Sequence, residues 1–341
     1  MLNQDINPYK VSPMEFGMIY TLHEDQGYSG DSLYHYINHS GFATLSAIYP
    51  PIVISMFRLI DNPISLGFLF IGTEALLLIL LFLYIKKYSP NYFLNMKLIC
   101  AWYVHPLVLY EGHLNRHYDL WIGLLIVGAI VFYNDHKTKL HSVLFALAIH
   151  LKGYSIIYLP FFKHSRWRIL LVWLSFEVCS YLWYPSRFLK KSSLNTFINQ
   201  WEFNNGLFTY LRVYLENIAP LEQALLYTRI VFLLIFIIVF LTIYYKWYFR
   251  TIKHNSFILM SVLFFICSPV ANPWYFLMAV PFYINYCDRY NQHYFISLLS
   301  FYYLFYIGVD PLESLALITG IAWFILSLSF YNSKHKIKDH S

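Results

Sequence analysis

Long stretches without a single charged residue, such as Val231–Tyr245 and Ser314–Tyr331, recur along this chain. Each approaches the ~20 residues a helix needs to cross the hydrocarbon core of a bilayer. A helix buried in a soluble protein carries polar residues along one face, and these runs offer none. Only 12% of the 341 residues are charged, against 58% hydrophobic and 21% aromatic. A soluble chain carries about 25% charged residues, so this one has too few to coat a water-facing surface. The sequence therefore predicts an all-α, polytopic transmembrane helix bundle of about 10–12 membrane helices, several of them short or re-entrant.

Apolar helices are expected over residues 64–85, 98–110, 120–134, 140–150, 154–162, 169–184, 228–245, 256–267, 274–287, 293–307 and 312–331, with a further short one from Tyr49 to Ile60. Several are shorter than a full span. Broken helices are tolerated at membrane depth only where they pack in protein or line a wet cavity, so they already hint at a site. Three regions follow: 1–48 as a non-cytoplasmic loop region, 49–331 as the transmembrane domain and 332–341 as a cytoplasmic tail.

The net charge of +6 does not point to nucleic acid. Lys and Arg fall in small clusters between apolar runs, as cytoplasmic loops do, and no basic stripe or nucleic-acid motif accompanies them. With the tail of Lys334, Lys336 and Lys338 inside, alternation puts 15 of the 24 basic residues inside, the tail included, among them Lys86, Lys87, Lys137, Lys139, Lys246 and Arg250. This is the topology of a multi-pass cell (inner) membrane protein. Cys100, Cys179, Cys267 and Cys287 share no CxxC spacing and read as membrane-buried hydrophobes. The acidic, polar segment from Met1 to about Ala43 falls outside with nothing apolar before it, which predicts a further helix upstream of Met1. No His, Asp and Glu spacing stands out as a ligand set, so the sequence assigns no metal ligands and names no cofactor, and a metal requirement is not legible in it.

In this topology the polar words of the sequence gather on the non-cytoplasmic face. They are Asn7-Pro8-Tyr9, the His35–His39 run, Tyr49-Pro50-Pro51, Glu111–Asp119, His150–Tyr154, Asn199–Phe208 and Ser268–Tyr275. Most have ordinary explanations: Pro-Trp-Tyr can open an interfacial helix, and Lys152 can reach toward headgroups. Glu111–Asp119 is different, with one Glu, one Asp, one Arg, one Asn and two His between two apolar helices. Ionisable groups at membrane depth are costly and functional by default. A carboxylate can take a proton from an acceptor hydroxyl, while Arg, Lys and His can hold a phosphate leaving group. Trp and Tyr offer flat, partly polar walls suited to sugar rings.

The order of these words resembles that of a bacterial GT-C glycosyltransferase, the polytopic kind that uses polyprenyl-phosphate sugars. Ile6–Tyr9 is similar to that family's "G-x-NPY", and Tyr36–His39 with Tyr49–Pro51 to its "hINH…tIYPP". Glu111–Asp119 resembles "E…N-x-H-x-D", His150–Lys152 followed by Pro160 resembles "vK…P", Trp201–Asn204 "W-x-FN" and Pro273–Tyr275 "hPWY". Six words in order span residues 6–281. The resemblance implies an extracytoplasmic site, a polyprenyl-phosphate sugar donor (mannose in most members), a lipid or glycan acceptor, and an inverting single displacement. On it, Arg116, His117 and Lys152 engage the donor phosphate, and Asn115 binds substrate beside them. Tyr49, His39, Trp201, Asn204, Trp274 and Tyr275 shape the substrate pocket, and Asp119 or Glu111 orients a hydroxyl or a basic residue. The family's acidic motif "D-x-x-RY-x-WDG", which carries its base, precedes "NPY" and has no counterpart here; Asp31, Glu24 or Asp25 would have to substitute. Two other classes stand beside this reading. One is a transporter or flippase of lipid-linked or small polar solutes, against which the absence of an internal repeat argues. The other is a truncated, inactive remnant of a glycosyltransferase.

Overall fold

The helices that begin at Tyr92, Asp119, Thr138 and Leu221, and the 3-10 helix that begins at Gly153, start without a side-chain cap. The computed structural model describes residues 63–105, 107–114, 118–183, 185, 206–249, 256–269 and 273–286. Those residues are mostly helical, with no strand among them. Helix α1, Pro63–Tyr88, opens on a proline that fits the first helical position and ends at Lys86 and Lys87, where cations suit the helix C-terminus. Helix α2 is Tyr92–Tyr103, followed by a π-helical turn at Val108–Leu114. Helices α3, Asp119–Asn134, and α4, Thr138–Leu151, form the most extensively packed pair of the fold. Their connection turns through His136, whose φ of 59° lies in the left-handed region. A 3-10 helix, Gly153–Phe161, leads to α5, Arg166–Trp183. Then come α6, Gly206–Glu216, α7, Leu221–Tyr248, and α8, Ser256–Cys267. A second 3-10 helix, Pro273–Met278, precedes α9, Val280–Tyr286.

Several expected spans shift. The predicted 98–110 helix does not form as one piece: α2 ends at Tyr103, and a separate π-helical turn begins at Val108. Pro106 explains the break, because the residue before a proline is pushed out of the α region. The 154–162 span is a 3-10 helix containing Pro160, a residue that removes a helical donor. Residues 274–287 divide into a 3-10 turn and α9. Helix α6 lies where no helix was expected. The predicted spans 293–307 and 312–331, the segment Tyr49–Ile60, regions 1–48 and 332–341, and Cys287 lie outside the described residues. Cys100, Cys179 and Cys267 are unpaired thiols, Cys267 buried and the other two exposed.

Helix α3 is the most buried helix among the described residues. Every residue from Asp119 to Val131 is buried, so no polar face can be read from it. The second 3-10 helix packs directly on α3. Gly123 permits this: a Cβ there would lie 2.9 Å from the Leu277 carbonyl oxygen and 3.3 Å from the Trp102 ring. Phe145, Phe162, Phe257 and Phe282 complete an aromatic core, with Phe257 and Phe282 stacked at 4.6 Å.

The periphery is apolar too. Helix α1 exposes Phe68, Ile71, Leu76 and Leu80, α5 exposes Leu171, Leu174 and Leu182, and α7 exposes Leu233, Leu234 and Ile238. Helix α7 has 28 residues and a mean hydropathy of 2.7 over its best window. Among the described residues it is the one helix that by length and composition is able to cross a membrane.

The two ends of α3 carry different chemistry. At its C-terminal end, buried Asp135 accepts hydrogen bonds through Oδ1 from Ser89 Oγ at 2.9 Å, Asn95 Nδ2 at 3.1 Å and Asn91 Nδ2 at 3.2 Å. Asn91 precedes α2 but does not cap it; its amide also reaches the Asn134 carbonyl at 2.7 Å. Ser89 brings the end of α1, with Lys86 and Lys87, to this side. Arg168 adds another cation by donating to Thr138 Oγ1 at 2.7 Å.

Candidate functional site

At the N-terminal end of α3, three of the sequence words converge. Asp119 occupies the first turn of α3 and is 1% exposed, where the helix dipole favours a negative charge. Helix α4 ends because Lys152 adopts an extended backbone, φ −154° and ψ 108°. That break directs the lysine at Asp119, and Nζ donates to Oδ1 and Oδ2, both at 2.7 Å. Tyr154, two residues on, donates its hydroxyl to Asp119 Oδ1. Burial pulls the Lys152 ammonium below its ordinary range, and the Asp119 charge acts in the opposite direction.

Aromatic rings enclose the ammonium. Lys152 Nζ lies 4.4 Å from the ring centre of Tyr275, 4.9 Å from that of Tyr118 and 5.2 Å from that of Tyr154. A cation over an aromatic face gains about 0.5–1 kcal/mol at an exposed site and about 2 kcal/mol when desolvated. Tyr154 and Tyr275 pack at 4.8 Å, and Phe264 lies 5.9 Å from Tyr154. The result is a largely buried ion pair, the Lys152 side chain 18% and that of Asp119 1% exposed, walled by tyrosines on three separate segments.

The Glu111–Asp119 word is split between two elements. Its first half forms the π-helical turn, with Glu111 buried. Gly112 presses on the first turn of α3, where a Cβ would lie 2.6 Å from Leu120 Cδ1. His113 Nε2 meets both carboxylate oxygens of Glu74, at 2.8 and 2.9 Å. Glu74 is buried on α1, and the Tyr103 ring lies 5.5 Å from the imidazole. A second histidine pair sits between α4 and α5. His150 Nδ1 bonds Glu177 Oε1 at 2.9 Å, its Nε2 faces Ser180 Oγ at 3.2 Å, and Trp173 donates to the same Glu177 oxygen at 3.1 Å.

Of the residues expected from the sequence, Asp119, Lys152 and Tyr275 are therefore brought into one cluster. Asp119 is the partner of a basic residue. Glu111 lies on the adjoining turn, and Trp274 belongs to the backbone of the second 3-10 helix. Asp31, His39, Tyr49, Asn115, Arg116, His117, Trp201 and Asn204 lie outside the described residues, as do Glu24 and Asp25. Sequence reasoning quoted Tyr118 and Tyr154 inside its motifs without assigning them a part, and it passed over Glu74 and Glu177. A lone carboxylate inside an apolar helix was the available signal for both acids. No cluster of three or more His, Cys, Asp or Glu suited to a metal occurs among the described residues. Comparison with protein-family models, with curated proteins and with solved structures found no match for this chain.

Proposed function

We propose that this chain is a multi-pass membrane glycosyltransferase that moves a sugar, mannose being the first to test, from a polyprenyl-phosphate donor to an extracytoplasmic lipid or glycan acceptor with inversion. The observation that carries the reading is the meeting of Asp119, Lys152 and Tyr275. These residues come from three motifs far apart in the sequence, motifs that resemble a glycosyltransferase's in kind and order. A ligand phosphate entering the cluster would compete with Asp119 for the Lys152 ammonium, and the tyrosine walls would pack against the sugar ring.

Membrane placement is part of the proposal. The exposed apolar faces of α1, α5 and α7 suit a lipid surround. With 16 residues, α3 is about 24 Å long, short of the ~30 Å hydrocarbon core, and its full burial fits a helix sheathed by others. The cations gathered at its Asp135 end support a cytoplasmic position for that end, which leaves the Asp119 end outside.

The test is transfer of labelled mannose from polyprenyl-phosphate mannose in membranes carrying the chain. Lys152→Ala and Asp119→Ala are each expected to abolish it. Unchanged transfer in both variants sinks the assignment. A second reading, a transporter, draws on the His150–Glu177 pair, since ionisable pairs between apolar helices also mark proton and solute paths. Solute uptake into proteoliposomes without sugar transfer would favour it.

A further inference from the structure

Transfer by single displacement needs a base for the acceptor hydroxyl. Asp31, Glu24 and Asp25, expected in that part, lie outside the described residues. The described carboxylates Asp119 and Glu111 are poorly placed for the work. Both oxygens of Asp119 are occupied by Lys152, with Tyr154 on one of them. Glu111 is 1% exposed. His113 differs from both. Its side chain is 21% exposed, while the carboxylate behind it, Glu74, is 4% exposed. An accessible imidazole backed by a buried carboxylate is the arrangement that fixes a tautomer and stabilises the imidazolium after proton uptake. With Nε2–H donating to Glu74, the lone pair falls on Nδ1. The turn bearing His113 packs against α3 and the second 3-10 helix, the elements that supply Asp119 and Tyr275.

We propose that His113 is the general base of this site and that Glu74 is its positioning residue. The inference rests on the glycosyltransferase reading above. As the acceptor oxygen bonds to the anomeric carbon, the bond from that carbon to the phosphate oxygen breaks, and its electron pair leaves with the polyprenyl phosphate. The hydroxyl proton passes to His113 Nδ1. The resulting imidazolium is neutralised by Glu74 until the proton returns to solvent. The other titratable groups on the turn and on the elements packed against it include Tyr103, Glu111, Asp119 and Tyr275.

A buried glutamate also needs a partner for stability, so the experiment separates a base from a helix tie. Mannose transfer is measured in membranes for wild type, His113→Ala, Glu74→Gln and the neutral pair His113→Gln with Glu74→Gln. Loss of a general base costs about 10²–10⁴-fold. His113→Ala is expected to fall in that range and to recover in part when imidazole is added. The neutral pair should express as wild type and remain inactive. Wild-type rates in His113→Ala, or activity in the neutral pair, overturn the base and leave the glycosyltransferase reading standing. A wild-type chain that transfers no sugar overturns both.

Discussion

The pairing of Asp119 with Lys152 makes a quantitative prediction that does not depend on what the chain catalyses. Two unit charges 2.7 Å apart attract by about 6 kcal/mol at an effective dielectric of ~20. Asp119→Asn keeps the side-chain shape and the acceptor for Tyr154 but leaves Lys152 without its counter-charge among three rings. Lys152→Met keeps the stem and strands a carboxylate that is 1% exposed. Breaking a buried pair from one side costs about 3–5 kcal/mol, whereas removing both charges together is often neutral or better. Each single variant should thus lose about 3–5 kcal/mol, and the double variant should lie close to wild type. The coupling energy is then at least about 3 kcal/mol, well beyond the ~0.5 kcal/mol within which independent sites add. Reversible unfolding in mixed detergent micelles, followed by helical circular dichroism, supplies the four free energies. Single costs that simply add in the double variant would refute the pairing.

Three further outcomes follow from geometry. His136→Gly should raise stability by about 1 kcal/mol in the same unfolding assay, because a non-glycine residue at φ 59° forgoes roughly 1–2 kcal/mol. Gly123→Leu should separate the second 3-10 helix from α3, since even a Cβ meets the Leu277 carbonyl oxygen at 2.9 Å; transfer should fall at least tenfold with helix content unchanged by circular dichroism. Asp135→Asn weakens three charge-assisted hydrogen bonds, each worth about 1.5–3 kcal/mol. It should lower unfolding stability by several kcal/mol while the remaining folded protein transfers sugar at the wild-type rate.

Hydropathy located the hydrocarbon-like parts of helices and missed their polar ends. Helix α7 was expected from residue 228 and starts at Leu221; α5 was expected from 169 and starts at Arg166. The missing turns contain Glu222 in one case and Arg166 and Arg168 in the other, residues that depress any apolar window. Helix α6 escaped because Arg212 and Glu216 pair along it, as i,i+4 charges do, rather than presenting a continuous apolar run. In the cluster, Asp119 and Lys152 were legible as charges flanked by apolar helices. Tyr118 and Tyr154 were not, because in a chain with 32 tyrosines one more ring carries no distinguishing signal until its neighbours are known. Glu74 was hidden for the opposite reason: 26 residues of helix average away a single acid.

The short connection between α3 and α4 has a consequence for biogenesis. On the proposed topology, Asp119 and Lys152 stand at the far ends of the two arms, so both charges have to reach the non-cytoplasmic side for the pair to stand there. A charge at the centre of a translocating helix costs about 2.5–3.5 kcal/mol in insertion experiments. Entering one arm at a time, the chain meets that cost twice; entering as a closed hairpin, it presents a neutral pair. A truncation ending after residue 134 should accordingly insert less efficiently at the translocon than one ending after 161, although the shorter nascent chain carries fewer charges.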